Sequence, residues 1–167
     1  MAISVGDRLP DVQLAYMGAE GPEFVSLGEK LKGRRVVIFA LPGAFTPTCS
    51  SAHLPSFIRT KAQFDAKGVD EIICISVNDI HVMKLWAEMS GADAAGITML
   101  ADPAAEYTKA VGMSFTAEAI GFIDRSVRYA LFADDGVVKV INVEEARGVC
   151  ELSGGETMLD DLEKVMA

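Results

Sequence analysis

Three short runs rich in apolar and β-branched residues, at 36–41, 71–77 and 97–101, recur along this 167-residue chain with helical segments between them. That alternation is the strongest limit on how the chain can fold. After the first run, Leu54, Phe57, Ile58 and Ala62 fall at helical spacing. After the second, Asn78-Asp79 caps a segment in which Val82, Leu85, Trp86 and Met89 lie at i, i+3, i+4 and i+7, so that Trp86 packs against the core. Asp102-Pro103 opens a third helix running toward Gly112. Strands and helices alternating at this pitch build a largely parallel sheet covered on both faces.

The pattern then changes. Residues 129–133 and 137–143 are β-rich and separated by Asp134-Asp135-Gly136, a hairpin signal that adds an antiparallel edge. Ser153 and Glu156 have the spacing of a capping box, which starts a last helix through Met158, Leu159, Leu162, Val165 and Met166. A central βαβ unit, a hairpin and a closing helix are the layout of a thioredoxin-like α/β fold: a mixed central sheet flanked by helices, here with an N-terminal extension before Arg34. Half of the residues are hydrophobic and 23% are charged, enough for one well-buried core, so residues 1–167 are expected to form a single domain.

Composition excludes several classes of function. A net charge of −9, with no basic cluster beyond Lys30, Lys32, Arg34 and Arg35, argues against nucleic acid or an acidic membrane surface. No apolar run is long enough to span a bilayer, and residues 1–7 lack the basic and apolar pattern of a leader, so a cytoplasmic protein is expected. Three cysteines, at 49, 74 and 150, with only two histidines, show no paired spacing for a disulfide framework or a metal. A mean hydropathy of +0.28 suggests apolar surface covered by a second subunit.

The segment Leu41-Pro42-Gly43-Ala44-Phe45-Thr46-Pro47-Thr48-Cys49-Ser50 places Cys49 where the first strand gives way to a helix. Unpaired N–H groups and the helix dipole favour a thiolate at such a position, where cysteine pKa values of roughly 3.5 to 7.5 are found. Position 52 is Ala52, so Cys-x-x-Cys exchange chemistry is absent. Thr46, three residues earlier, can turn its hydroxyl to the same site. Pro42 and Pro47 stiffen the loop and bring no competing donors, which suits a pocket for a small polar oxidant. His53, one turn beyond, could act as a base, orient a loop or sit at a subunit contact.

Pro42, Thr46 and Cys49 form the Pro-x-x-x-Thr-x-x-Cys signature of peroxiredoxins. With His53-Leu54-Pro55, the block from Cys74 to Asp79 and Arg128-Tyr129-Ala130-Leu131, nearly the whole chain resembles the type II, or fifth, subfamily. The resemblance implies a thiol peroxidase that reduces hydrogen peroxide and alkyl hydroperoxides through a Cys49 sulfenic acid, the first and reversible rung of cysteine oxidation. It implies that Thr46 orients the peroxide, that Pro42 shields the site, and that Arg128 stabilises the thiolate and the departing oxygen, with Arg125 as a lesser candidate. An arginine suits that task because it stays charged and offers donors in a fixed fork. The resemblance further implies antioxidant defence, a homodimer, and no flavin, haem or metal cofactor.

Three routes back to the thiol stand open. Cys150, in a loop before the last helix, or Cys74, in a run read as buried sheet, could resolve the sulfenic acid. Alternatively glutathione, a glutaredoxin or a thioredoxin could attack it directly. Met113, Phe115 and Phe122 could form an apolar lip for an organic peroxide or belong to the core or a dimer contact. The alternative function is a peroxide sensor, in which oxidised Cys49 alters a partner contact without efficient turnover.

Overall fold

The computed structural model describes residues 1–166. Its N-terminal part comprises strands β1 (Gln13–Gly18) and β2 (Gly21–Ser26), helix α1 (Leu27–Leu31), strand β3 (Arg35–Ala40) and helix α2 (Leu54–Ala66). There follow β4 (Glu71–Ser76), α3 (Ile80–Ser90), α4 (Ala92–Ala95), β5 (Thr98–Ala101) and α5 (Glu106–Ala110). The chain ends with β6 (Ser114–Ala117), β7 (Phe122–Ser126), β8 (Tyr129–Asp134), β9 (Val137–Val143) and α6 (Gly155–Val165).

Seven strands form one sheet in the order β2-β1-β5-β4-β3-β8-β9. Strands β3, β4 and β5 are parallel, as the alternating pattern predicts, while β8 lies antiparallel to β3 and pairs with β9 as the expected hairpin. Side chains of β3 alternate between two cores. Val37 and Phe39 meet Phe57 of α2, Trp86 of α3 and Leu162 of α6; Val36 and Ile38 meet Leu27 of α1, Tyr107 of α5 and Leu131 of β8. The central strands are therefore apolar throughout because both faces are covered.

Several local expectations are corrected. The N-terminal extension is a hairpin, β1–β2, joined to the sheet by the Ala15↔Ala101 pairing with β5. A second small sheet, β6–β7, stands apart. Trp86 is buried as expected, but Leu85 and Met89 are exposed and Met83 and Ala87 take their places in the core. The stripe 83, 86, 87 has helical spacing too, and periodicity alone does not choose between faces this apolar. The third helix starts at Glu106, not at Asp102-Pro103, because the Asp102 carboxylate reaches forward to accept from Tyr107 N, Thr108 N and Thr108 Oγ1.

Ser153 does not cap the last helix either. Gly154 takes the cap position, and Ser56 Oγ of α2 accepts from Gly155 N at 2.9 Å. This close approach of α2 and α6 depends on glycine: a Cβ at 155 would lie 2.4 Å from Thr60 Oγ1 and 2.6 Å from the Ser56 carbonyl. Gly155→Ala is expected to cost about 1–3 kcal/mol through overpacking. The urea-unfolding midpoint measures it, and an unchanged midpoint would show that the two helices can separate freely.

Candidate active site

The site is assembled at one end of β3. Pro42 supplies no N–H to continue that strand, and the chain turns through a loop in which Asn78 Oδ1 accepts from Ala44 N at 2.9 Å. Phe45 sits at φ 65°, a left-handed conformation rare for a bulky residue. The following helix closes its first turn with Ser50 N donating to Thr46 O at 3.0 Å. The N–H groups of Thr48 and Cys49 precede that bond and have no partner within the helix. Cys49–His53 is a single π-turn whose widened ring ends with Leu54 N donating to Cys49 O, and it leads directly into α2.

Sheet pairing brings the cation to the same end. Ala40 is the register partner of Tyr129, so Arg128 emerges beside the start of the loop. The side chain of Arg128 is buried, and its Nη1 and Nη2 each donate to Cys49 Sγ at 3.3 Å. Nη1 also donates to His53 Nδ1 at 3.2 Å and Nη2 to the Arg147 carbonyl at 3.2 Å. Arg128 Nε is buried with no partner among the described residues.

A strap, residues 144–153, forms another wall. It follows β9, whose Val143 pairs with Tyr129, and Glu144 N donates to the Arg128 carbonyl at 2.9 Å. The Glu144 carboxylate gathers the strap's far end by accepting from Leu152 N, Ser153 N and Ser153 Oγ. Thr48 Oγ1 donates to Gly148 O at 3.3 Å. Ser153 thus braces the strap, which is why it is not available as a helix cap.

Cys49 and Arg128 are brought into contact. Thr46 stands at the loop and donates its hydroxyl to Gly43 O at 2.7 Å, which leaves its lone pairs free to accept. Pro42 is buried, and its carbonyl accepts from Arg125 Nη1 at 3.0 Å, so Arg125 braces the loop and donates no bond to the sulfur. Cys74 is buried in β4 opposite Phe39, and burial pushes its thiol well above the ordinary value. Cys150 is half-buried in the strap, 3.9 Å from Ser153 Oγ, and burial raises its thiol too. All three cysteines are free.

One expectation changes. Cys49 has no exposed surface, so the pocket for a small oxidant read from the loop does not open the sulfur to solvent. A hollow of about 780 Å³ lies elsewhere, between β1, α3 and β5, with Met83 and Met99 in its wall. Of the readings open to Met113, Phe115 and Phe122, the structure takes the core for the first. Met113 is buried in the opposite core, while Phe115 and Phe122 meet edge to face at 6.1 Å. Arg147 lies over Phe115 and Arg125 over Phe122, so the pair steadies both arginines beside the site.

His53 is the residue that the sequence left undecided. It is fully buried between Phe39 and Phe57, and its Nε2 lies 3.0 Å from the Ser153 carbonyl. Burial, with the Arg128 charge beside it, holds the imidazole down at about 3. The unfolded chain takes up this proton as pH falls through about 6.5 while the folded chain does not, so stability is full above that value and declines below it. Between pH 8 and pH 5 the loss is expected to be about 2 kcal/mol, read from urea midpoints, and His53→Asn is expected to flatten this limb. A wild-type midpoint constant over that range would contradict the assignment of a neutral buried ring.

The chain matches the family model described as Redoxin over residues 4–159. It is 48% identical over 164 residues to "Peroxiredoxin-2E-2, chloroplastic" of Oryza sativa subsp. japonica, covering 96% of this chain and 72% of that protein. It is 45% identical to "Peroxiredoxin-2C" of the same plant, covering 96% of this chain and 98% of the relative. Among solved structures, reduced Prx3 in complex with H2O2 from Vibrio vulnificus superposes with a TM-score of 0.90 at 46% identity, over 96% of this chain and 99% of that one.

Proposed function

Because the chain belongs to the redoxin family and is a peroxiredoxin, a thiol-dependent peroxidase, we propose that Cys49 is its peroxide-reducing sulfur and that Arg128, Thr46 and Pro42 serve it. The observation that carries this reading is the pair of guanidinium N–H groups 3.3 Å from Cys49 Sγ in a buried site. A fixed cation aimed at a sulfur anion in dry surroundings acts more strongly than it would in water and needs no rearrangement during reaction.

The Cys49 thiolate attacks the terminal oxygen of the hydroperoxide. The sulfur–oxygen bond forms as the O–O bond breaks, sulfur is oxidised to the sulfenic acid, and the leaving oxygen departs as water or alcohol after taking a proton from solvent. Arg128 faces the charge that moves from sulfur onto this oxygen. Thr46 accepts the peroxide O–H while its own O–H stays donated to Gly43 O, and buried Pro42 keeps water from the sulfur. Because Cys49 is covered, substrate reaches it only when the surrounding chain opens.

A thiol then condenses with the sulfenic acid, giving a disulfide and water, and a second thiol restores Cys49. Cys150 is placed ahead of Cys74 as the internal partner, since the strap lacks the ladder bonds that lock Cys74 between β3 and β5. Glutathione, a glutaredoxin or a thioredoxin completes the cycle. A cytoplasmic location belongs to the same proposal, supported by three free thiols. So does a homodimer, supported by exposed Leu85 and Met89 on α3 and exposed Phe45, whose ring lies 6.4 Å from that of Trp86.

Cys49→Ser is expected to abolish peroxide consumption with excess reductant, and Arg128→Ala to slow it by about 10²- to 10³-fold. Cys150→Ser and Cys74→Ser should change only which reductant works. Full activity in Cys49→Ser would reject the assignment, and consumption of many peroxide equivalents per chain separates an enzyme from a sensor. Mass spectrometry of non-reduced protein after one equivalent of peroxide reports whether Cys49 joins Cys150, Cys74 or neither. Sedimentation equilibrium should return a dimer that Leu85→Lys with Met89→Lys dissociates; a wild-type monomer at all concentrations would refute that part.

A further inference from the structure

Arg128 must be aimed as well as charged. A guanidinium carries four hydrogens on its two terminal nitrogens, and here two go to Cys49 Sγ while the outer two go to His53 Nδ1 and the Arg147 carbonyl. The outer pair sets the rotation of the fork about its own axis. One of these is a backbone carbonyl in the strap, and the other is a side chain from the helix that carries Cys49. Nε contributes nothing to the aim, since it has no partner among the described residues.

The partners also dictate the state of His53. Arginine can only donate, so Nδ1 must present a lone pair; a carbonyl can only accept, so Nε2 must carry the hydrogen to Ser153 O. A second ring proton would set N–H against N–H and cation against cation in a buried site. Neither nitrogen is left over to move a proton to or from a peroxide. The charged and titratable groups around the ring are Cys49 on its own helix, Arg128 ahead of β8 and, beyond Ser153, Glu144 and Cys150 of the strap.

We propose that His53 is a positioning residue: as a neutral Nε2–H imidazole it holds the Arg128 guanidinium on the Cys49 sulfur and ties that pair to the strap through the Ser153 carbonyl. Cys49 and His53 lie four residues apart at the two ends of the π-turn, and both meet the buried Arg128 guanidinium. The flanking Phe39 and Phe57 rings, at 5.1 and 5.8 Å between centroids, hold the imidazole without competing for its nitrogens. The inference rests on the reading of Cys49 as the peroxide-reducing sulfur, but its geometry can be tested apart from turnover.

His53→Phe keeps an aromatic ring among aromatic neighbours and removes both polar atoms. It is expected to lower the second-order rate with hydrogen peroxide, and the rate of Cys49 alkylation by iodoacetamide at neutral pH, by about 10- to 100-fold with the thermal midpoint near wild type. His53→Asn returns an acceptor near the Nδ1 position and is expected to recover most of both rates. Long-range ¹⁵N NMR of the wild-type protein should show one protonated and one bare ring nitrogen, Nε2–H, unchanged from pH 8 to pH 5. A folded His53→Phe protein with wild-type rates, a His53→Asn protein as slow as His53→Phe, or a ring that titrates in that range would overturn the proposal. A wild-type protein inert to peroxide would instead sink the functional reading, while the alkylation and NMR measurements would still judge His53.

Discussion

A buried guanidinium facing a buried sulfur is the contact on which the rest of this structure depends. Taking a cation out of water costs several kcal/mol unless partners replace its hydration. Arg128 meets that cost with the sulfur, the imidazole lone pair and one strap carbonyl, and it leaves Nε unmatched. Neither member is sensible alone. Cys49 without the arginine is one more buried apolar residue, and Arg128 without the sulfur is a charge sunk in a protein interior. The remaining cost is carried beside the sulfur, where the proposed reaction would develop negative charge.

Three chain segments far apart in sequence meet at this contact, and sheet topology is what brings them together. The loop after β3 lies at the carboxyl end of a parallel strand, where open α/β sheets leave a crevice. Strand β8 runs antiparallel beside β3, so the residue entering β8 arrives at that same end. Strand β9 then returns antiparallel to β8 and delivers the strap to it once more. One strand order thus brings thiol, cation and strap together, and the Glu144 carboxylate gathers the strap into a fixed wall.

Much of the fold was legible because burial on both faces leaves a plain mark. The runs at 36–41, 71–77 and 97–101 are apolar without alternation, and each lies in the middle of the sheet within one residue of its expected ends. The hairpin turn at Asp134-Asp135-Gly136 was equally plain, with Asp135 and Gly136 both at positive φ. The N-terminal hairpin was not, since β2 is largely exposed and its Gly21-Pro22-Glu23 opening has little strand character. Ser153 misled for another reason: a serine with a glutamate three residues on can cap a helix, but a buried carboxylate from Glu144 competed for it and won.

The sequence by itself determined the central order of strands and helices, the hairpin, and the place of Cys49 at a helix start, because all are local: apolar spacing reports burial, and turn residues report where an element ends. Only the tertiary structure decided how the Arg128 fork is aimed at the sulfur, that His53 accepts from it, and that Ser153 serves the strap. Each of those depends on a partner 75 or more positions away, or on competition among several acceptors for one donor, as the bonds from Arg128 to His53 and from His53 to Ser153 show. Hydrogen-bond geometry of that kind is settled by which strands lie side by side, and spacing along a chain carries no record of it.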